Sequence, residues 1–156
     1  MRHCSFTGHR DVDAAKYEKL SELLARAVEY VYQGGVRDFY TGGAVGFDPM
    51  AAKAVILLKM RDPAVKLHIL IPCKDQTARW SDAQRSTYDF LVSKADDVEY
   101  VSEEYKPTCM KKRNQRLCDV CDVLIAYSGR YGSGSAQTVR MAQKQGKTIY
   151  NLYGKF

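Results

Sequence analysis

The sequence predicts a single α/β domain: a Rossmann-like, doubly wound and mainly parallel sheet with helices on both faces. Strand-like and helix-like patterns alternate from one end of the chain to the other, which is typical of strand–helix units with right-handed crossovers. Residues 65–71 are nearly all apolar, as expected for a strand at the centre of a parallel sheet. The length of 156 residues is close to the commonest size of one domain, so the predicted domain spans residues 1–156.

Each element is predicted from its own pattern of apolar and helix-breaking residues. Strands are expected at residues 2–7, 37–41, 65–71, 98–101, 123–127 and 148–152, and helices at 13–33, 47–60, 81–94, 107–118 and 135–145. Asp13 can cap the first helix through its side-chain oxygen, and Gly34-Gly35 ends that helix because glycine adopts the conformations that helix ends require. Asp62-Pro63 ends the second helix, and Pro72 is expected to close the third strand.

An excess of basic residues favours anionic partners. Lys and Arg number 24 against 18 Asp and Glu, a formal charge of +6 that attracts phosphates, nucleotides or nucleic acid. The densest basic cluster is Lys111, Lys112, Arg113 and Arg116. The longest apolar run, Ala54–Leu58, is far too short to span a bilayer, and the N-terminus has no signal-peptide core. We therefore expect a cytoplasmic protein with no membrane partner.

The five cysteines do not predict a metal site. Cys118-Asp-Val-Cys121 has the spacing of a zinc ligand pair, but the sequence contains no second pair that would complete the set. In a cytoplasmic protein such cysteines are expected to be reduced, small, buried residues. We therefore expect neither a metal nor a cofactor.

Three glycine-rich segments fall at the ends of predicted strands. They are Thr7-Gly8-His9-Arg10 after the first strand, Thr41–Asp48 after the second and Ser128–Ser135 after the fifth. The carboxyl ends of parallel strands meet at one edge of the sheet, where ligands bind. The last two segments also open a helix, whose free N–H groups and positive dipole end stabilise an anion, while glycine allows close approach. Together the segments predict a pocket for a phosphate-bearing, nucleotide-like molecule.

The standard nucleotide-binding motifs are absent from these loops. No Gly-Lys-Ser/Thr follows Gly42 or Gly134, as a P-loop would require. A dinucleotide fingerprint also fails, because Gln137 stands where its third glycine should fall. The sequence therefore argues against a P-loop NTPase and against a nicotinamide-dependent dehydrogenase.

Several side chains of this region could serve either a ligand or the fold. Arg10 can bind a phosphate through two parallel hydrogen bonds. Asp48 could accept hydrogen bonds from a ribose or cap the second helix, and His9 could contact the ligand or pack the loop. Trp80 is expected to pack a helix against the sheet rather than to stack on a base. The ligand-binding residues predicted within the three loops are Thr7, Gly8, His9, Arg10, Gly42, Gly43, Ala44, Gly46, Asp48, Gly132, Ser133, Gly134 and Ser135.

An ordered set of short motifs spans nearly the whole chain. It consists of Thr-Gly-His-Arg at 7–10, Gly-Gly-Ala-x-Gly-Phe-Asp at 42–48, Pro72 followed by Trp80, Arg113-Asn114, and Asp122 before the fifth strand. In this set the chain resembles YpsA and its relatives in the SLOG superfamily, which also includes the DNA-processing protein DprA and the LOG-type phosphoribohydrolases. The resemblance implies a Rossmann-like fold with a nucleotide pocket, and it adds Arg113 and Asn114 to the predicted site. Asp122 is expected to hold backbone N–H groups.

The resemblance leaves the activity open. LOG-type enzymes carry Pro-Gly-Gly-x-Gly-Thr followed by a glutamate that takes part in cleaving an N-glycosidic bond, whereas residues 132–137 here read Gly-Ser-Gly-Ser-Ala-Gln. The leading hypothesis is therefore binding or sensing of a nucleotide or nucleotide-derived ligand, with a regulatory role as one option.

Two other functions are kept as alternatives. The first is a nucleotide N-glycosidase (a phosphoribohydrolase) that would use Asp48, with Glu103 and Glu104 as second choices, because a carboxylate stabilises an oxocarbenium-like state. The second is DprA-like binding of single-stranded nucleic acid at the basic cluster, which would weaken with salt. Domains of this size often pair through exposed helices, so a homodimer is considered as well.

Overall fold

The computed structural model describes residues 2–130 and 132–156. Its strands are β1 (His3–Gly8), β2 (Asp38–Thr41), β3 (Lys66–Cys73), β4 (Asp97–Ser102), β5 (Val123–Tyr127) and β6 (Thr148–Asn151). In the described part of the chain all neighbouring strands run parallel and form one sheet in the order β4-β3-β2-β1-β5-β6. The predicted parallel sheet is confirmed.

The helices cover both faces of this sheet. They are α1 (Tyr17–Gln33), α2 (Phe47–Arg61), α3 (Asp82–Lys94), α4 (Cys109–Val120) and α5 (Gly134–Lys144). The chain moves outward from β1 to β4 and then returns to β5 on the other side of β1. Right-handed crossovers therefore put α1, α2 and α3 on one face and α4 and α5 on the other, and the helices within each group contact their neighbours. The predicted Rossmann-like, doubly wound class is confirmed.

The core forms between the apolar strands and the apolar faces of the helices. α1 buries Leu20, Leu24, Val28 and Val31, whose spacing of three or four residues puts them on one helical face. All five residues of β5 are buried, as expected for a strand with helices on both sides. The sheet order reverses between β1 and β5, which is the point where doubly wound sheets open a ligand crevice.

Most predicted element ends lie within two residues of the observed ones, and two of the predicted end signals are wrong. Asp13 accepts a hydrogen bond from the Ala15 N–H and caps a short 3-10 turn, and α1 begins only at Tyr17. β3 continues through Pro72 to Cys73 instead of closing at the proline. Its pairing with β2 ends at Ile69, so the missing N–H of Pro72 removes no hydrogen bond on that side.

Asp122 joins the start of β1 to the start of β5. Its carboxylate accepts hydrogen bonds from the N–H groups of Arg2 at 2.9 Å and His3 at 3.0 Å, which confirms the expected backbone-holding role. The hydrogen bond from the Arg2 N–H is the largest cause that lowers the pKa of Asp122, and the hydrogen bond from the His3 N–H lowers it further. All five cysteines are buried and free. None of the helices in the described part of the chain combines the length and apolar character needed to cross a bilayer.

Candidate functional site

Two adjoining cavities open at the carboxyl edge of the sheet. The first, of about 380 Å³, is named the basic cavity and is lined by residues of β1, α4 and the loop before α5. Eleven of the predicted site residues line it: Thr7, Gly8, His9, Arg10, Ala44, Asp48, Arg113, Asn114, Ser133, Gly134 and Ser135. The second cavity, of about 480 Å³, is named the aromatic cavity because Tyr17, Trp80 and Tyr88 line it together with apolar side chains of α2, α3 and β3.

The two cavities share a wall made of Arg10, Asp11, Ala44 and Asp48. The remaining predicted residues are distributed as follows: Gly43 and Gly46 line the aromatic cavity only, whereas Gly42 and Gly132 line neither cavity. The structure therefore brings residues from three distant loops and from α4 to one edge of the sheet, but divides them between two compartments.

Side chains from three different elements hold the loop after β2. Arg113 of α4 donates from Nη1 to the Gly42 carbonyl, Gln76 donates from Nε2 to the Gly43 carbonyl at 3.1 Å, and Asp48 of α2 accepts from the Ala44 N–H at 3.1 Å. Because each residue of the turn is fixed separately, the loop is organised before any ligand arrives. No local pattern in the sequence indicates Gln76, because its role depends on the position of the segment that follows β3.

Asp48 and Arg113 are opposite charges that are both buried beside Gly42. A Cβ on Gly42 would lie 2.9 Å from Asp48 Oδ2 and 2.6 Å from Arg113 Nη1, so only glycine fits between them. Burial raises the pKa of Asp48, while Arg113, the Ala44 N–H and Arg10 act in the opposite direction. Burial likewise lowers the pKa of Arg113, and Asp48 offsets part of that shift. Each group thus makes the burial of the other less costly.

The N-terminus of α2 is partly satisfied within the protein. The Phe47 N–H donates to the His9 carbonyl at 3.1 Å, and Pro49 has no N–H to offer. Gly46 precedes the helix with φ 82° and ψ −114°, where a Cβ would collide with the carbonyl groups of His9 and Arg10. This turn is packed against the end of β1, and the carboxylate of Asp48 in the first turn of α2 disfavours an anion there.

The N-terminus of α5 is more open. Ser133 caps it, because its Oγ accepts from the Ala136 N–H at 3.1 Å and its carbonyl accepts from the Gln137 N–H at 3.1 Å. Helices leave their first N–H groups without intrahelical partners, and no acceptor among the described residues takes the N–H of Gly134 or Ser135. No acidic residue lies in this first turn. The N-terminus of α5 is therefore the better anion site of the two.

His9 connects the loop after β5 to β1, and its hydrogen bonds fix its tautomer. Its Nε2 accepts from the Gly129 N–H at 2.9 Å, so the proton of the neutral ring is on Nδ1. That Nδ1–H donates to Ser135 Oγ at 3.3 Å, and Ser135 in turn donates to Ser128 Oγ at 3.1 Å. Burial, and next the charge of Arg130, lower the pKa of His9. His9 consequently cannot take a proton from Ser135, and the two do not form a nucleophile–base pair.

Arg10 is a cation that the fold leaves available at this site. Its side chain is exposed, lines both cavities and makes no hydrogen bond or ion pair with any described residue. Arg113 instead donates to the Gly42 carbonyl and, at 2.9 Å, to Asn114 Oδ1. Arg130 pairs with Asp11 through its two terminal nitrogens, Nη1 and Nη2. The three arginines of the site therefore have different states, and Arg10 is the one ready to meet a ligand.

Other expected candidates lie away from this site. Glu103 and Glu104 line a separate cavity with Lys112, and Glu103 pairs with Lys74 at 2.9 Å. The basic cluster of α4 is also divided, because Arg113 is buried and Arg116 binds Glu99 at 3.0 and 3.3 Å. Among the described residues no group of three or more His, Cys, Asp or Glu side chains is arranged to hold a metal ion.

Sequence reasoning missed the aromatic cavity. Trp80 packs edge-on against Tyr88 with ring centroids 5.5 Å apart, and both line the cavity with Tyr17. Trp80 thus packs on Tyr88 of α3 and also borders an open compartment, whereas packing of the helix against the sheet by Trp80 stays a prediction. The aromatic residues Trp80 and Tyr88 could have indicated this cavity from the sequence. That Tyr17 of α1 also lines it depends on how the helices pack.

The parallel doubly wound sheet and the paired cavities at its carboxyl edge define a Rossmann-like protein with a candidate ligand site. The chain belongs to the YspA SLOG family, whose sequence model, named YpsA, matches residues 5–153. Similar proteins include the uncharacterized SPbeta prophage-derived protein YoqJ of Bacillus subtilis (strain 168), which is 30% identical over 149 residues covering 86% of this chain and 87% of the relative. A UPF0398 protein of Bacillus anthracis (strain A0248) is 26% identical over 141 residues, or 89% of this chain and 77% of that protein.

Solved structures of low sequence identity share the fold. DNA processing protein A of Helicobacter pylori, described for its single-stranded DNA binding mode, gives a TM-score of 0.64 at 21% identity and covers 95% of this chain and 63% of its own. DprA of Streptococcus pneumoniae gives a TM-score of 0.68 at 15% identity, and the match covers 96% of this chain and 50% of the DprA chain. TM1055, a structural genomics target, gives a TM-score of 0.61 at 13% identity, and the match covers 96% of this chain and 72% of the TM1055 chain. This chain thus spans half to somewhat under two thirds of the DprA chains.

Proposed function

We propose that this protein binds a nucleotide or nucleotide-derived ligand and holds its phosphate in the basic cavity. The observation that carries the proposal is the convergence of three anion-attracting groups on one cavity of about 380 Å³. They are Arg10, which is unpaired among the described residues, the buried Arg113, whose charge Asp48 offsets in part, and the N–H groups of Gly134 and Ser135, for which no described residue is an acceptor. A phosphate is the anion that such an arrangement of an arginine and a helix N-terminus fits best.

The shared wall supports a ligand that is larger than a phosphate. Asp48 borders both cavities, and its Oδ2 already accepts from the Ala44 N–H. A carboxylate has further lone pairs, which can accept hydrogen bonds from sugar hydroxyls. A sugar phosphate with its anionic end in the basic cavity would meet Asp48 at this wall.

Calorimetric titration with ribose 5-phosphate and with nucleoside monophosphates tests the proposal. We expect binding that requires the phosphate and that weakens roughly 10- to 100-fold in Arg10→Gln, because hydrogen bonds to a charged group contribute about 1.5–3 kcal/mol. Arg26→Gln is the matched control, since Arg26 is an exposed arginine of α1 that lines neither cavity. Equal affinities for Arg10→Gln and the unaltered protein, or no binding of any phosphate compound, would contradict it.

Cleavage of a nucleotide N-glycosidic bond is a second candidate, which the position of Asp48 favours. This buried carboxylate lies in the wall between the cavities, where a sugar would lie between its phosphate and its base. A carboxylate there would stabilise the oxocarbenium-like state of the sugar. Release of free base by the protein, abolished in Asp48→Asn with ligand binding retained, is the expected outcome, and an absence of base release at saturating protein concentration would remove the candidate.

Single-stranded nucleic acid has weaker support as a partner. The structural likeness to DNA processing protein A supports it at the level of the fold. In this chain, however, Arg116 is engaged by Glu99 and Arg113 is buried, so Lys111 and Lys112 are the two exposed cations left in the cluster of α4. Contacts of these two lysines with phosphates would give binding of single-stranded nucleic acid that is weak and dependent on salt.

A further inference from the structure

The aromatic cavity has a chemistry that the basic cavity lacks. Trp80 and Tyr88 form one part of its lining and Tyr17 another, while Met50 and Leu91 add apolar surface. Its volume of about 480 Å³ falls within the range of small-molecule sites, which are typically concave and mainly apolar with a few polar groups. Such a lining favours a flat apolar ring, and the cations that also border this cavity are Arg10 in the shared wall and Lys53 of α2.

Polar groups are also present in the aromatic cavity, and they suit a ring with hydrogen-bonding edges. Thr87 and Gln84 of α3 contribute to the lining. Gln84 Oε1 accepts from the Ser81 N–H at 3.0 Å as part of the capping box of α3, which holds that side chain at the start of the helix. The amide nitrogen of Gln84 and the hydroxyl of Thr87 can then donate or accept at the edge of a heterocycle.

The shared wall sets how a ligand would lie. Arg10, Ala44 and Asp48 border both cavities, so a molecule with one end in each must pass these residues. A nucleoside monophosphate has the matching order of parts, namely a phosphate, a hydroxylated sugar and an aromatic base. We propose that the aromatic cavity binds the base of the nucleotide, with the ring against Trp80, and this inference rests on the proposed function.

The proposal assigns a role to Trp80 beyond packing, and the sequence makes this role easy to measure. Trp80 is the one tryptophan of the 156-residue chain, so intrinsic tryptophan fluorescence reports on the aromatic cavity alone. Stacking of a base on an aromatic side chain contributes roughly 1–3 kcal/mol. We therefore expect a nucleoside monophosphate to change this fluorescence and ribose 5-phosphate to leave it nearly unchanged.

The experiment compares compounds that carry a phosphate, a base, both or neither. Calorimetry and Trp80 fluorescence are recorded with ribose, ribose 5-phosphate, the four common nucleosides and their 5′-monophosphates. We expect at least one monophosphate to bind roughly tenfold or more tightly than ribose 5-phosphate and to perturb the fluorescence. Equal affinity for ribose 5-phosphate and all four monophosphates would overturn the base site while leaving the proposed phosphate site intact. No binding of any phosphate compound would overturn the proposed function itself.

Three variants separate stacking from a general loss of structure. Trp80→Leu should weaken monophosphate binding roughly tenfold and leave ribose 5-phosphate binding unchanged, because the base alone meets this side chain. Phe90→Leu is the matched control, since Phe90 is a half-exposed residue of α3 outside the cavity lining. Tyr17→Leu, at an exposed position of α1, gives a second reading if Trp80→Leu does not fold. Loss of ribose 5-phosphate and monophosphate binding by the same factor would overturn the assignment.

Discussion

The loop before α2 and the loop before α5 look alike in sequence but offer different groups to a ligand. Both are rich in glycine, both follow a strand of the parallel sheet, and both contain a glycine with φ 82°, Gly46 in one and Gly132 in the other. In the loop before α2 the Ala44 N–H is held by Asp48 and the Phe47 N–H by the His9 carbonyl. In the loop before α5 the N–H groups of Gly134 and Ser135 have no such acceptor among the described residues.

The comparison shows that a glycine-rich turn at a helix start does not by itself make an anion site. The first loop uses the N–H groups of Ala44 and Phe47 to fix its own shape, and it carries Asp48 into the wall between the cavities. The second loop has its serines and His9 joined in a network that leaves the front of α5 open. In the proposed function, the first loop is therefore the framework of the site and the second is the part that would bind the phosphate.

The largest expected effect concerns the clamp on the first loop. Arg113→Met should lower the free energy of unfolding by about 4 kcal/mol, because it removes the donor to Gly42 and leaves the buried Asp48 without its neighbouring cation. Arg116→Met, one turn along the same helix and in an exposed pair with Glu99, should cost under about 1 kcal/mol. Urea denaturation measures both, and similar losses would show that Arg113 does not clamp the loop.

The two glycines with the same φ give the next largest effect. Gly46→Ala should lower the free energy of unfolding by about 3 kcal/mol, because the strained conformation is combined with collision against the carbonyl groups of His9 and Arg10. Gly132→Ala should cost only about 1 kcal/mol, since a Cβ there meets no heavy atom within 4 Å. Urea midpoints with unchanged slopes provide the measurement, and a larger loss in Gly132→Ala would reverse the comparison.

The smallest expected effect is a pH dependence of the stability. We attribute it to His9, which is hydrogen-bonded to Gly129 and Ser135 at the second loop. The pKa of His9 is lowered from 6.5 by burial and by Arg130, with Asp11 acting in the opposite direction. Below pH 6.5 the unfolded chain therefore binds this proton before the folded one does, and the free energy of unfolding falls as the pH decreases toward the lowered value. His9→Gln should flatten the decrease of the melting temperature between pH 7 and pH 5.5.

Ser135→Ala is the control for that titration. It removes the acceptor of the His9 Nδ1–H without removing a titratable group, so the pH dependence should persist while the stability falls at every pH. Tyr127 and Tyr153 pack edge-on against the imidazole and are unchanged in both variants. An unaltered pH dependence in His9→Gln would assign the effect to another group.

Much of the fold could be predicted because its signals are local. The apolar run at 65–71 and the helical spacing of Leu20, Leu24 and Val28 lie within single elements, and the structure contains each predicted strand and helix with small shifts at the ends. The position of the ligand edge also followed, since parallel strands bring their carboxyl ends together. Pro72 was placed wrongly as a strand end because its tolerance depends on where the neighbouring strand stops.

The chemistry of the site depends on contacts that no local pattern contains. Arg113 reaches Gly42 across 71 positions of sequence, and His9 meets Gly129 across 120. Such pairs decide which N–H groups of the described residues stay free, which arginine is engaged and which aromatic side chains share a cavity. The roles proposed for Arg10 and Trp80 therefore come from the structure, although both residues stood out in the sequence.

The sequence by itself determined the α/β class, the order of the elements and the three glycine-rich loops at strand ends, because periodicity and turn residues act over a few neighbouring positions. Only the tertiary structure decided that Asp48 and the His9 carbonyl take two N–H groups of the loop before α2, that no described residue takes the N–H groups of Gly134 and Ser135, and that Asp48 lies in the wall between a basic and an aromatic cavity. The physical reason is that hydrogen-bond satisfaction and burial are properties of groups brought together from distant parts of the chain.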